Sequence, residues 1–126
     1  MFFGKKHKVL VVDDDEDMLS LLKKILSDSK YNVLQASNGK ECIEKAKEFS
    51  PDIIIMDVMM PELDGIATIL KLRSHENTRS IPIIMCTAVN ESEDEIVARN
   101  LGAVDYVRKT PQMNELIARL ERFLNQ

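Results

Sequence analysis

Five residues of this chain carry groups able to act together on a charged substrate: Asp13, Asp14, Asp57, Thr87 and Lys109. Each stands at or just past the end of a short apolar run. Asp13 and Asp14 follow Val9–Val12, Asp57 follows Ile53–Met56, Thr87 follows Ile83–Cys86, and Lys109 comes shortly after Tyr106–Val107. Where such runs lie side by side, their ends supply three carboxylates, a hydroxyl and an ammonium to one shallow pocket. The carboxylates repel: two unit charges about 4 Å apart cost roughly 4 kcal/mol at an effective dielectric near 20. A hard divalent cation removes that cost, and Mg2+ suits a few carboxylates completed by waters and phosphate oxygens. The chemistry that fits is phosphoryl transfer, whose transition state spreads charge over three equatorial oxygens. A metal, a hydroxyl and an ammonium can take one oxygen each, and a carboxylate nucleophile becomes an acyl phosphate.

The elements that must position these groups alternate between two kinds. The runs Val9–Val12, Val33–Ala36, Ile53–Met56, Ile83–Cys86 and Tyr106–Val107 are short and bounded by polar, Gly or Pro residues, which predicts buried strands. Between them the apolar residues fall at helical spacing. Met18, Leu21, Leu22, Ile25 and Leu26 form one stripe, and Leu116, Ile117, Leu120, Phe123 and Leu124 another. Helix starts are signalled at Asn38 with Glu41, at Ser92 with Glu95, and at Thr110 before Pro111. Gly102 fits a helix end after Leu101. Five continuous apolar strands joined by five helices predict an α/β fold, a doubly wound parallel sheet with helices on both faces. Ligands of such folds bind outside the carboxyl ends of the strands, where the strand order reverses.

The chain has 126 residues, 44% hydrophobic and 30% charged, with a net charge of −4. That length predicts one domain, residues 1–126, with a core over about 7–125. The acidic balance argues against a direct nucleic-acid partner and for a cation. No window approaches the roughly 20 apolar residues of a membrane span, and the start carries no apolar stretch of signal-peptide length. The expected location is the cytoplasm. Cys86 lies in an apolar run and Cys42 in a helical pattern, outside any C-x-x-C pair, so both read as structural. His7 and His75 are lone residues in polar surroundings and read as surface side chains.

Four stretches resemble one family in order. Val9-Leu10-Val11-Val12-Asp13-Asp14-Asp15 is similar to the first strand of the receiver domains of two-component response regulators, the CheY-like family. So are Asp57-Val58-Met59-Met60-Pro61-Glu62-Leu63-Asp64-Gly65, Cys86-Thr87-Ala88, and Gly102-Ala103-Val104-Asp105-Tyr106-Val107-Arg108-Lys109. The resemblance covers roughly residues 7–125. It implies a flavodoxin-like five-stranded parallel sheet of order 2-1-3-4-5. It implies that Asp57 is the phosphoacceptor, taking a phosphoryl group from a sensor histidine kinase. Asp13, Asp14, Asp57 and the backbone carbonyl of Met59 would hold Mg2+. Thr87 would be the switch hydroxyl, Lys109 the phosphate's ammonium partner, and Tyr106 the aromatic coupled to Thr87. A downstream protein would read the face around Ile96, Tyr106 and Leu116. Such a domain is not a conventional enzyme, but it assists its own phosphorylation and dephosphorylation. One departure stands out: the family usually has Pro directly after the lysine, often cis, whereas Lys109 is followed by Thr110 and then Pro111. A cis Lys-Thr bond would cost about 2.5–4 kcal/mol, so this loop is expected to differ.

Other readings of the same residues are weaker. Asp13-x-Asp15-x-Asp17 resembles the start of an EF-hand loop, but Met18 replaces its turn glycine and Lys24 its bidentate Glu. Asp15 and Asp17 read instead as acids favoured at a helix N-terminus. A phosphatase with an Asp nucleophile would want Thr or Val where Asp17 stands. A phosphorylation-independent binding module would not need all five site residues. The alternatives kept beside the phosphoacceptor are that phosphorylation-independent protein-binding module and a receiver fragment of a larger response regulator. Met59 and Val89, two residues after Asp57 and Thr87, are both apolar and cannot hold a water by hydrogen bonding. Slow loss of the phosphoryl group is the expected consequence.

Overall fold

Side chains alternate across a strand, and in the central strands of this protein both sets are apolar. Val9 and Val11 point to one core and Leu10 and Val12 to another. Ile53 and Ile55 oppose Ile54 and Met56 in the same way, and Ile84 and Cys86 oppose Ile83 and Met85. Each of these residues is at most 2% exposed, so neither face of the central sheet meets water. Only a parallel sheet covered on both faces satisfies such runs. Fully burying one Val, Leu or Ile side chain stabilises by roughly 1.5–3 kcal/mol.

The computed structural model describes residues 7–57, 65–87, 100, 102, 105–108 and 114–124; at Thr87, Asp105, Tyr106 and Arg108 the description is of the backbone. The strands are β1 (Lys8–Val12), β2 (Asn32–Ala36), β3 (Ile53–Met56), β4 (Ile83–Thr87) and β5 (Asp105–Arg108). The described helices are α1 (Glu16–Asp28), α2 (Gly39–Phe49), α3 (Gly65–Arg73) and α4 (Asn114–Leu124). All strand pairings are parallel, in the order β2-β1-β3-β4-β5, as the resemblance implied. Cys42, Ala46, Ile69 and Leu72 from α2 and α3 cover one face. Leu19, Leu22, Leu26, Leu116 and Leu120 from α1 and α4 cover the other. No helix among the described residues is long and apolar enough to cross a membrane. The helix expected to open at Ser92 and the Thr110–Pro111 start lie outside the described residues.

Local chemistry sets the helix ends. Asp15 is the N-cap of α1, its carboxylate accepting from the amides of Asp17 at 2.9 Å and Met18 at 3.4 Å. That satisfies two of the orphan donors of the first turn and places charge at the positive end of the helix. Asn38 caps α2, accepting from the Glu41 amide at 2.8 Å. Only half of the expected capping box forms, because the Glu41 carboxylate turns to Ser37 at 3.0 Å and Lys45 at 3.1 Å. Those partners outweigh the upward push of burial and hold the Glu41 carboxyl below its ordinary value. At the other end of α1, Tyr31 donates to the Leu26 carbonyl and Lys30 to the Ser27 carbonyl. This is a Schellman closure with Lys30 in the left-handed position, φ 69°, where glycine is usual.

Two side chains depart from the expected stripe. Leu21 is 37% exposed, while Leu19 is buried. At 100° per residue, Leu19, Leu22 and Leu26 share the inward face of α1 with Met18 and Ile25 at its flanks, and Leu21 falls off the edge. Cys42 and Cys86 are free, buried thiols, and burial pushes the Cys42 thiol up to about 12, which leaves it inert. His75 is exposed, and His7 is half-buried, 3.8 Å from Asp52.

Candidate functional site

Strand register brings the acids level. Val12 pairs with Ala36 of β2 and with Met56 of β3. Both ladders run one step further: the Asp13 amide donates to the Ala36 carbonyl at 3.1 Å, and the Asp57 amide donates to the Val12 carbonyl at 3.0 Å. The backbones of Asp13 and Asp57 are therefore held by the sheet itself. Carboxylate oxygens of Asp13, Asp14 and Asp57 all lie within 4.8 Å of one another. Asp13 is 2% and Asp57 8% exposed, whereas Asp14 faces solvent. Acids are seldom buried unless they are paired or bind something, and three so close repel strongly.

The donor set favours a hard cation. Among the described residues its side chains offer carboxylate oxygens, and Asp14 is reachable from water. Both cysteines are buried in the hydrophobic clusters, and neither histidine belongs to the group. Few carboxylates with room for waters is the pattern Mg2+ accepts, while zinc and copper prefer nitrogen or sulfur. Asp13, Asp14 and Asp57 fit Mg2+ on these grounds.

One feature of the site was missed from sequence: the Asp13 carboxylate accepts from the Asp15 amide at 3.0 Å. Asp13 thereby orients the residue that caps α1, and helix and acid cluster are built from one turn. The available signal was the Asp-x-Asp spacing, which suits an Asx turn.

The remaining predicted residues are placed only in part. Thr87 pairs with Arg108, and Tyr106 pairs with Met85, by backbone register; their side chains lie outside the description. Because Met56 pairs with Met85, Asp57 is level with Cys86 and one residue short of Thr87. Met59, Val89, Ile96 and Lys109 lie outside the described residues, as does the Lys109-Thr110-Pro111 loop. Leu116 itself is fully buried against the sheet, as its place on the apolar stripe predicts, so the face expected around it consists of its exposed neighbours. Exposed neighbours on α4 are Asn114, Glu115, Ala118, Glu121 and Arg122. A surface hollow of about 290 Å³, lined by Glu16, Leu19, Ser20, Gln35 and Ser37, contains none of the three clustered acids.

Comparison with known proteins agrees with this architecture. The family described as the response regulator receiver domain matches residues 9–121. The chain belongs to that family. It is 41% identical over 119 residues to the alkaline phosphatase synthesis transcriptional regulatory protein PhoP of Bacillus subtilis, covering 94% of this chain and 49% of that one. The chain spans about half the length of the curated relatives it matches. Among solved structures, a putative response regulator from Chloroflexus aurantiacus superposes with a TM-score of 0.87 at 34% identity, covering 97% of this chain and all of the other, 100%. The chemotaxis protein CheY4 of Vibrio cholerae gives 0.89 at 30% identity, over 94% and 99% of the two chains.

Proposed function

We propose that this receiver domain accepts a phosphoryl group on Asp57 from a sensor histidine kinase and in doing so switches a protein-binding surface. The observation that carries the reading is the convergence of the Asp13, Asp14 and Asp57 carboxylates at the strand ends of a receiver fold. An Asp57 carboxylate oxygen forms the new O–P bond as the N–P bond of the donor's phosphohistidine breaks, and the imidazole nitrogen keeps that electron pair. Asp13, Asp14, Asp57 and the Met59 carbonyl are the Mg2+ ligands in this reading. Bound there, Mg2+ offsets the charge of the acids and of the phosphoryl oxygens. Thr87 and Lys109 supply a hydroxyl and an ammonium to the remaining oxygens. Tyr106 passes the change at Thr87 to the surface, and a downstream protein reads the face of Ile96, Tyr106 and the exposed side of α4. Residues 1–126 act as one domain in this reading, in the cytoplasm, without direct contact to nucleic acid or membrane. The half-length match to a transcriptional regulatory protein supports a second version, in which the same domain is the receiver part of a longer regulator.

The test is intact mass after incubation with Mg2+ and acetyl phosphate. The parent gains one phosphoryl group and Asp57→Asn gains none. Equal labelling of the two removes Asp57 from the role.

A further inference from the structure

Arg73 closes α3, yet its guanidinium does not serve that helix. Nη1 donates to the carbonyls of Arg79 at 2.7 Å and Ile81 at 2.9 Å, and Nη2 donates to the carbonyl of Gly102 at 2.9 Å. Ile81 stands just ahead of β4 and Gly102 just ahead of β5, so one planar cation bridges the amino ends of two neighbouring strands. The guanidinium fork suits this, since it presents several donors in fixed directions and stays charged at every physiological pH. Gly102 is matched to it. Its φ is +107°, and a Cβ there would stand 2.7 Å from Nε of Arg73. Glycine suits that backbone, and a Cβ there would push the Arg73 side chain out of its present position.

The bridge sits where the sheet is weakest. β5 is a four-residue edge strand with β4 as its single strand neighbour. Short edge strands open at low cost, and their ends open first.

We propose that Arg73 is a positioning residue, a clamp that locks the segments entering β4 and β5 together and confines rearrangement of these strands to the part beyond the Ile84–Asp105 pair, which includes Thr87 and Tyr106. The clamp rests on its own geometry; only its consequence for Thr87 and Tyr106 rests on the phosphoacceptor reading above.

Native-state hydrogen exchange on the whole chain tests it, in the parent and in Arg73→Gln, Arg73→Lys and Gly102→Ala. A hydrogen bond to a charged group is worth enough that its loss raises local opening roughly tenfold or more. The expected result is exchange faster by about that factor at the starts of β4 and β5 in Arg73→Gln and Gly102→Ala, with Arg73→Lys between them and the parent. Rates in β1 and β3 stay as in the parent. Should Arg73→Gln fail to fold, the lysine and alanine variants carry the comparison. Acceleration spread evenly over all strands, or absent from β5, overturns the clamp. A second arm repeats the measurement after acetyl phosphate treatment: changes reach residues ahead of Ile84 in the variants and stay beyond it in the parent. Failure of labelling in every protein counts against Asp57 and leaves the first arm standing.

Discussion

The two ends of the sheet treat charge in opposite ways. At the amino ends, cations meet backbone carbonyls and a carboxylate meets a backbone amide. Lys8 donates from its amide to Asp52 at 2.7 Å and from Nζ to the Phe49 carbonyl, and Arg73 spans the carbonyls of Arg79, Ile81 and Gly102. At the carboxyl ends, three carboxylates crowd within 4.8 Å. The amino end is answered within the chain, which favours the folded state. The carboxyl end gathers like charge, a repulsion that weighs against folding and that a bound cation would offset. Binding sites are drawn from such places because the repulsion they hold is released by the ligand.

The sharpest way to break that contrast is to remove it. Saturation with Mg2+ at about 100 times its dissociation constant raises the unfolding free energy by about 2.7 kcal/mol, read as a rise in Tm. Asp14→Ala loses most of that rise, and without metal it is no less stable than the parent, because a repelling charge has gone. An undiminished rise in the variant takes Asp14 out of the metal site.

A smaller effect concerns how long the phosphoryl group lasts at the carboxyl end. In the phosphoacceptor reading Met59 and Val89 flank the line of water attack, and Met59→Asn combined with Val89→Glu offers water two polar anchors there. Decay of the phosphorylated form accelerates by about tenfold, equal to about 1.4 kcal/mol in the barrier. A parent that decays as fast as the double variant overturns the expectation that the apolar pair slows loss of the phosphoryl group.

The smallest effect belongs to the amino end. Lys30, just ahead of β2, occupies a left-handed conformation that costs a residue with a Cβ about 1 kcal/mol or more. Lys30→Gly therefore raises stability by about 1 kcal/mol, less the backbone entropy glycine adds to the unfolded chain. Urea unfolding reads the change, and Mg2+ affinity stays that of the parent. A midpoint at or below the parent's means that no strain is held there.

Much of the fold was legible because burial leaves a periodic trace. The runs Val9–Val12, Ile53–Met56 and Ile83–Cys86 are apolar at every position, so they read as strands covered on both faces before any partner is known. Asn38 reads as a helix start because a cap acts within three residues, and Asp15 and Asp17 read as acids of a helix N-terminus because the dipole acts within the first turn. Leu21 was misread because a helix's inward phase is set by how it seats on the sheet, and one residue's shift turns the stripe by 100°. On α4 the predicted stripe holds its phase, with Leu116 and Leu120 fully buried.

Residue types and local spacing by themselves determined that Asp13, Asp14 and Asp57 would stand at strand ends, since each follows an apolar run that must be buried. They also determined that the run ending in Asp15 would start a helix, through an interaction of neighbours. Tertiary structure alone decided that the carboxylates meet, because parallel strands joined by helices set their register through packing on both faces. Val12 opposite Met56 is a fact of that packing. It alone also decided that Arg73 reaches Gly102, since a contact between distant segments leaves no periodic trace in either one.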